Sequence, residues 1–151
     1  MDNKPFPTNQ ISPAACVANN LRMITRTIVQ AYEDALRPSG ITIAQFSTLG
    51  SLNEHGPISM LNLAEAMDID RTTLARNLKL LEKNGLVSVN PSEQDRRVKL
   101  IDLTDHGRRT LQEATPLWVS VQQHFVKGLG VDELGNMMQT FSHLRELAKE
   151  A

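Results

Sequence analysis

The stretch 59–103 reads SMLNLAEAMDIDRTTLARNLKLLEKNGLVSVNPSEQDRRVKLIDL, and the spacing of its apolar residues changes within it. Leu63, Ala64 and Met67 define a short helix that Ser59 can cap, and Asp68, Ile69 and Asp70 form a tight turn. Leu74, Leu78 and Leu81 then give a second helix its buried stripe. Asp70 is placed to cap that helix by accepting N–H bonds near Thr73, its charge suits the positive helix end, and Gly85 terminates it. Residues 86–89 and 98–103 are rich in branched side chains and read as two strands. Helix, tight turn, helix and hairpin in this order predict a winged helix-turn-helix, which sets one helix in a DNA groove and a basic loop beside it.

The polar side of the second helix carries Arg71, Thr72, Thr73, Arg76 and Lys83, with Asn77 at its flank. Recognition helices use such residues on base edges, arginine pairing with guanine and asparagine with adenine. A plain solvated face is the commoner fate of these residue types. The short helix before them and the hairpin after them favour DNA contact. Between the strands, the loop 90–97 is longer than an efficient hairpin turn needs. A wing explains the excess: Arg96 and Arg97 suit a narrow minor groove, and Asp95 is placed to orient a guanidinium by a charge-assisted hydrogen bond.

Charge agrees with this motif. The net charge is only −1, yet residues 71–99 hold seven basic side chains against three acidic ones, a local +4 that leaves −5 on the remainder. Positive charge is therefore concentrated where phosphate would lie. The single cysteine, Cys16, excludes an intramolecular disulfide framework and a four-cysteine zinc site. His55, His106, His124 and His143 are scattered without metal-ligand spacing, and neither a metal nor a cofactor is expected. No paired acid and base, activated nucleophile or phosphate-cradling glycine loop is evident, which argues against an enzyme. No apolar run approaches the ~20 residues of a membrane span. The first residues lack a secretory pattern, so a cytoplasmic location is expected.

The rest of the 151 residues reads as support for the motif. Residues 1–12 contain Pro5 and Pro7 without periodicity and suggest a flexible arm. From Pro13, Val17, Leu21, Ile24, Ile28, Ala31 and Ala35 recur at helical spacing, and Pro38 with Gly40 should stop the helix near Arg37. A helix after Thr42 buries Phe46, Leu49 and Leu52 and ends at Gly56 and Pro57. Thr104 opens a long helix carrying Leu111, Ala114, Trp118, Val121 and Phe125, with a kink expected at Pro116. After Gly130, Leu134, Met137 or Met138, Phe141, Leu144 and Ala148 mark a last helix. The expected organisation is one mainly α domain over 13–151. Within it, 39–103 is the winged helix-turn-helix with a small β-hairpin, and 13–37 and 104–151 are long helices for which a second copy offers the most economical burial.

The run DRRVKLIDLTDHG, residues 95–107, is similar to the wing signature of the MarR family, the multiple antibiotic resistance regulators. That signature is Asp, any residue, Arg, then a strand ending in Leu-Thr and a glycine three residues after the threonine. TTLARNLKLLEKNGLV, residues 72–87, resembles the family's recognition helix and the start of its wing. The resemblance extends roughly from residue 13 to the C-terminus. It implies a homodimer with interlocked terminal helices whose two winged motifs reach successive major grooves of a pseudo-palindromic operator. By position, Arg76 matches a DNA-facing arginine, Arg97 the wing arginine and Asp95 its orienting acid. A two-fold dimer also requires half-sites about one helical turn, ~10 base pairs, apart.

The same resemblance implies a repressor released by a small aromatic ligand or by cysteine oxidation. Cys16 lies in the region where peroxide-sensing relatives place a reactive thiol, and Tyr32 matches one of their tyrosines. Ile43 stands where a second tyrosine would be, and Cys16 falls about two positions early, which favours a buried or incidental cysteine over a thiol sensor. The family's ligand pocket lies between the long helices and the winged motif. Arg22, Met23, Arg26, His55 and Trp118 fall in that region of the chain, although their spacing identifies no site. A winged-helix module that binds protein without DNA is the remaining alternative. Neutral or acidic residues at 76, 96 and 97 would favour it.

Overall fold

The computed structural model describes residues 15–150. The expected arm over 1–12 and helix start at Pro13 lie outside the described residues. Among those described, the helices are α1 (Val17–Leu36), α2 (Ile43–His55), α3 (Met60–Met67), α4 (Arg71–Lys83), α5 (Asp105–Leu129) and α6 (Val131–Glu150). The strands are β1 (Ile58–Ser59), β2 (Val87–Pro91) and β3 (Lys99–Leu103). The architecture is mainly α with a small antiparallel sheet, as the sequence predicts.

Local chemistry sets most boundaries. A 3₁₀ turn over Arg37–Ser39 ends α1, and Gly40 supplies the left-handed conformation at φ 72° that closes it. α2 opens with a reciprocal capping box: Gln45 N–H donates to the Thr42 hydroxyl at 3.2 Å, and Thr42 N–H donates to the Gln45 side chain at 3.0 Å. The Glu33 carboxylate of α1 accepts the Ile43 N–H at 3.0 Å, satisfying another donor that the first turn of α2 leaves free. Ser59 caps α3 through Asn62 N–H, and Asp70 caps α4 through Thr73 N–H at 2.9 Å. The three-residue turn between them holds Asp68 in the left-handed region, φ 51° and ψ 47°.

α4 ends as its glycine predicts. Gly85 has φ 69°, the Leu86 N–H returns to the Leu81 carbonyl at 2.9 Å, and the Gly85 N–H returns to Glu82. β2 extends to Pro91, paired with Lys99, where the spacing placed its end at Val89. It can do so because the strand order is β1-β3-β2, so Pro91 sits on an edge strand and its missing N–H costs no necessary ladder bond. β1 is an addition to the expected hairpin. Ile58 and Ser59 pair with Ile101 and Leu100, and two residues are too few to show a period of two in sequence.

The core lies under the winged motif. Leu36, Leu49, Leu52, Leu63, Leu74, Leu81 and Ile101 are fully enclosed, each side chain worth roughly 1.5–3 kcal/mol on burial. Thr104 fastens the sheet to α5: its hydroxyl donates to the Gly85 carbonyl at 2.6 Å and accepts the Gly107 N–H at 3.0 Å, while its own N–H donates to Leu86. α5 then continues through Pro116 as one helix. The outer helices are bound far less. α1 buries only Leu36, α6 buries no residue, and Val17, Met23, Ile24, Val131, Met138 and Leu147 are exposed.

Candidate nucleic-acid interface

α4 is positioned by its inner stripe. With Leu74, Leu78 and Leu81 buried, a helix turning about 100° per residue places Thr72, Arg76, Lys79 and Lys83 along the opposite side. All four are exposed, as are Arg71 and Thr73 at the first turn. Thr73 also holds the cap: its hydroxyl and amide keep the Asp70 carboxyl below the usual aspartate range. The helix thus begins with a fixed N-terminus whose partial positive charge adds to that of Arg71. Lys79 belongs to this outward stripe as well as to the local excess of positive charge. The step from Thr72 to Arg76, Lys79 and Lys83 is the helical spacing that could have revealed it. Leu80, more than half exposed, lies beside Arg76 and Lys83 at the edge of the same surface.

The wing is an ordered turn. Ser92 N–H donates to the Val98 carbonyl at 2.8 Å, Val98 N–H donates to the Asp95 carbonyl at 2.9 Å, and the Ser92 hydroxyl accepts the Gln94 N–H. Arg96, Arg97 and Lys99 project from this frame and are exposed. Among the described residues, none of the seven basic side chains from Arg71 to Lys99 forms an ion pair within the chain. Their charge is uncompensated locally and available to phosphate.

Two expected roles differ in detail. Asp95 does not hold a guanidinium; its carboxylate accepts the Arg97 backbone N–H at 2.9 Å, closing an Asx turn that sets the backbone from which Arg97 springs. Asn77 does not face outward. Its amide nitrogen donates to the Ala44 carbonyl at 3.1 Å and to the Thr48 hydroxyl at 2.7 Å, both on α2. In this arrangement the amide nitrogen is engaged on α2 and is not presented for the bidentate pairing that asparagine makes with adenine. The cause is rotational position: Asn77 lies one residue before Leu78 and shares the buried flank.

Aromatic residues gather where α1 and α2 meet α5. Trp118 stacks on Phe46 with centroids 5.6 Å apart, and Tyr32 lies 6.0 Å from Phe125. The Tyr32 hydroxyl donates to Gln122 at 2.6 Å, and burial raises its pKa. Of the other residues named for this region, Arg22, Met23 and Arg26 are exposed on α1, Arg22 donates to Asn19, and His55 contacts the Ser51 carbonyl at the end of α2. Cys16 is exposed immediately before α1, and the phenol of Tyr32 is engaged by Gln122. Among the described residues no cluster of His, Cys, Asp and Glu could hold a metal, and no helix is long and apolar enough to cross a membrane.

Comparison with known proteins agrees with the architecture. The model of the MarR family matches residues 41–99, which run from two residues before α2 to the first residue of β3. The M. tuberculosis transcriptional regulator MosR, in a crystal structure with DNA, is 38% identical with a TM-score of 0.80, the alignment covering 89% of this chain and 97% of that one. Bordetella bronchiseptica BpsR, from a study of the regulation of its DNA binding by 6-hydroxynicotinic acid, is 25% identical with a TM-score of 0.81, covering 90% and 97%. The transcriptional repressor NicR of Pseudomonas putida is 28% identical over 116 residues, 77% of this chain and 70% of the relative.

Proposed function

The chain belongs to the MarR family of DNA-binding transcriptional regulators, which are not enzymes, and from that premise we propose that it acts as a homodimeric repressor released by a small aromatic ligand. The observation that carries the DNA surface is the outward row Thr72, Arg76, Lys79 and Lys83 on α4 beside Arg96 and Arg97 on the wing, basic and without intrachain ion pairs. In this reading Arg71, Thr72, Thr73 and Arg76 meet base edges and adjacent phosphates. Lys79 and Lys83 meet phosphates, and the wing arginines enter the neighbouring minor groove. Asp95 contributes by shaping the wing.

The exposed apolar faces of α1 and α6 support the dimer. A groove between them, lined by Leu21, Thr25, Phe141, Leu144, Arg145 and Ala148, leaves apolar surface that a second copy would cover. The organisation is then one domain over 13–151 in which the terminal helices set the spacing of two reading heads. The two aromatic pairs, Tyr32 with Phe125 and Phe46 with Trp118, where α1 and α2 meet α5, offer ring faces and support an aromatic effector. Such a ligand regulates by favouring a head spacing that does not match two half-sites, without touching the DNA surface. A thiol sensor at Cys16 is the second reading, favoured by its exposure.

Selection of bound duplexes from a randomised library, followed by titration of the selected site, tests the reading. We expect a two-fold symmetric site, steep salt dependence and loss of affinity in Arg76→Ala and Arg97→Ala. 6-Hydroxynicotinic acid and simple phenols, set against peroxide acting on wild type and Cys16→Ser, separate ligand release from oxidation. Salt-insensitive or absent enrichment would overturn DNA binding.

A further inference from the structure

We propose that Asn77 is a positioning residue, fixing the roll of the recognition helix α4 against α2 so that its neighbour Arg76 is aimed at the DNA. The inference rests on the reading that α4 enters a DNA groove. It assigns that helix an internal anchor.

The anchor is built from three groups. One amide nitrogen of Asn77 donates to two acceptors a helical turn apart on α2, the Ala44 carbonyl at 3.1 Å and the Thr48 hydroxyl at 2.7 Å. The Thr48 hydroxyl spends its own hydrogen on the Ala44 carbonyl at 2.9 Å, so it meets Asn77 as an acceptor. Thr48 is fully buried and cannot reach DNA. The Asn77 nitrogen, the Thr48 hydroxyl and the Ala44 carbonyl therefore form a triangle of hydrogen bonds that ties α4 to α2. The two acceptors lie close together as seen from that nitrogen, and a side chain that presents an N–H there, as asparagine does, meets both. Aspartate at 77 would turn a carboxylate toward the Ala44 carbonyl and the Thr48 oxygen.

Apolar packing alone does not provide such an anchor. Leu74, Leu78 and Leu81 decide which side of α4 is inside, but burial is non-directional and tolerates small rotations of the helix about its axis. Hydrogen bonds weaken steeply as their angles depart from linear. A roll of about 10° moves a group about 6 Å from the axis by roughly 1 Å, more than the ~0.5 Å within which a recognition constellation must be held. Arg76 is adjacent to Asn77 in the chain and about 100° around the helix, so any roll that Asn77 prevents is transmitted to it directly.

The test uses the full chain and the duplex that wild type enriches from a randomised library, with a scrambled duplex as the non-specific control. Asn77→Ala and Thr48→Val are each expected to weaken binding to the enriched duplex by about five- to tenfold, within the range set by the one or two neutral hydrogen bonds each removes. Binding to the scrambled duplex and the slope of affinity against salt should stay at wild-type values, because no phosphate contact is removed. The double variant should be no weaker than the stronger single one, and Thr48→Ser, which keeps the acceptor, should bind as wild type at a temperature where all variants are folded. The proposal is overturned if Thr48→Val binds as wild type while Asn77→Ala loses preference at one base pair, the signature of direct readout. It is also overturned if every variant keeps wild-type affinity. A wild-type chain that enriches no duplex overturns the DNA reading together with it.

Discussion

The α-carbon of Gly107 on α5 faces the carbonyl of Leu86 so closely that a methyl group added there would lie 2.9 Å from the carbonyl carbon and nearer still to its oxygen. That same carbonyl accepts the Thr104 N–H at 3.1 Å, so it cannot withdraw without breaking the junction between the wing and α5. Gly107→Ala is expected to cost about 3 kcal/mol, the upper end of what overpacking costs, read as a lower midpoint in urea. Gly50→Ala, at a helical position with open space around it, should be neutral or stabilising by up to about 1 kcal/mol.

Glu33 joins an outer helix to the reading head by accepting the Ile43 N–H. Glu33→Ala leaves that donor without its protein partner and should cost about 1 kcal/mol, lowering Tm by roughly 2–4 °C at fixed protein concentration. Glu33→Gln keeps the acceptor oxygen and should recover most of the loss. Equal Tm values for all three proteins would show that the bond contributes nothing.

The cap of α4 predicts an acid limit. Because Thr73 holds the Asp70 carboxyl below the usual aspartate range, the folded chain takes up that proton less readily than the unfolded one. The stabilisation is therefore complete above the unfolded value of about 3.9 and is lost as pH falls through the lower folded value. Circular dichroism across this range should show Asp70→Asn losing less stability on acidification than wild type. Asp70→Ala should be destabilised already at neutral pH.

Lys79 separates phosphate contact from base reading. Its place on the outward stripe of α4 predicts that Lys79→Ala weakens binding uniformly across duplex sequences and reduces the salt slope by about one. A loss confined to one base pair in a competition assay would assign it to base recognition.

Much of this was legible because it is local. Thr42, Ser59, Asp70 and Thr104 cap helices whose first turns follow them directly, and Gly85 ends a helix whose carbonyls lie just behind it. The orientation of Asn77 was not legible, because it depends on Ala44 and Thr48, distant in sequence, being brought alongside by the leucine core. Asp95 was expected to orient a guanidinium; that its carboxylate instead accepts a backbone amide is decided by the turn geometry of residues 92–98. The choice between Met137 and Met138 likewise needed the packing of α6, which half-buries the first and leaves the second half exposed.

The short β1 strand has a consequence for the duplex. Ile58 and Ser59 are bonded into the same sheet as the wing, while the Ser59 side chain caps α3, so the wing and the helix pair are fastened into one piece. A piece of that kind acts as a calliper. In the proposed binding mode it offers the DNA two tips at a fixed separation, one for each groove, and the duplex must supply the matching groove width and twist. Base pairs between the two tips, touched by neither, then enter the binding energy through the work needed to shape them.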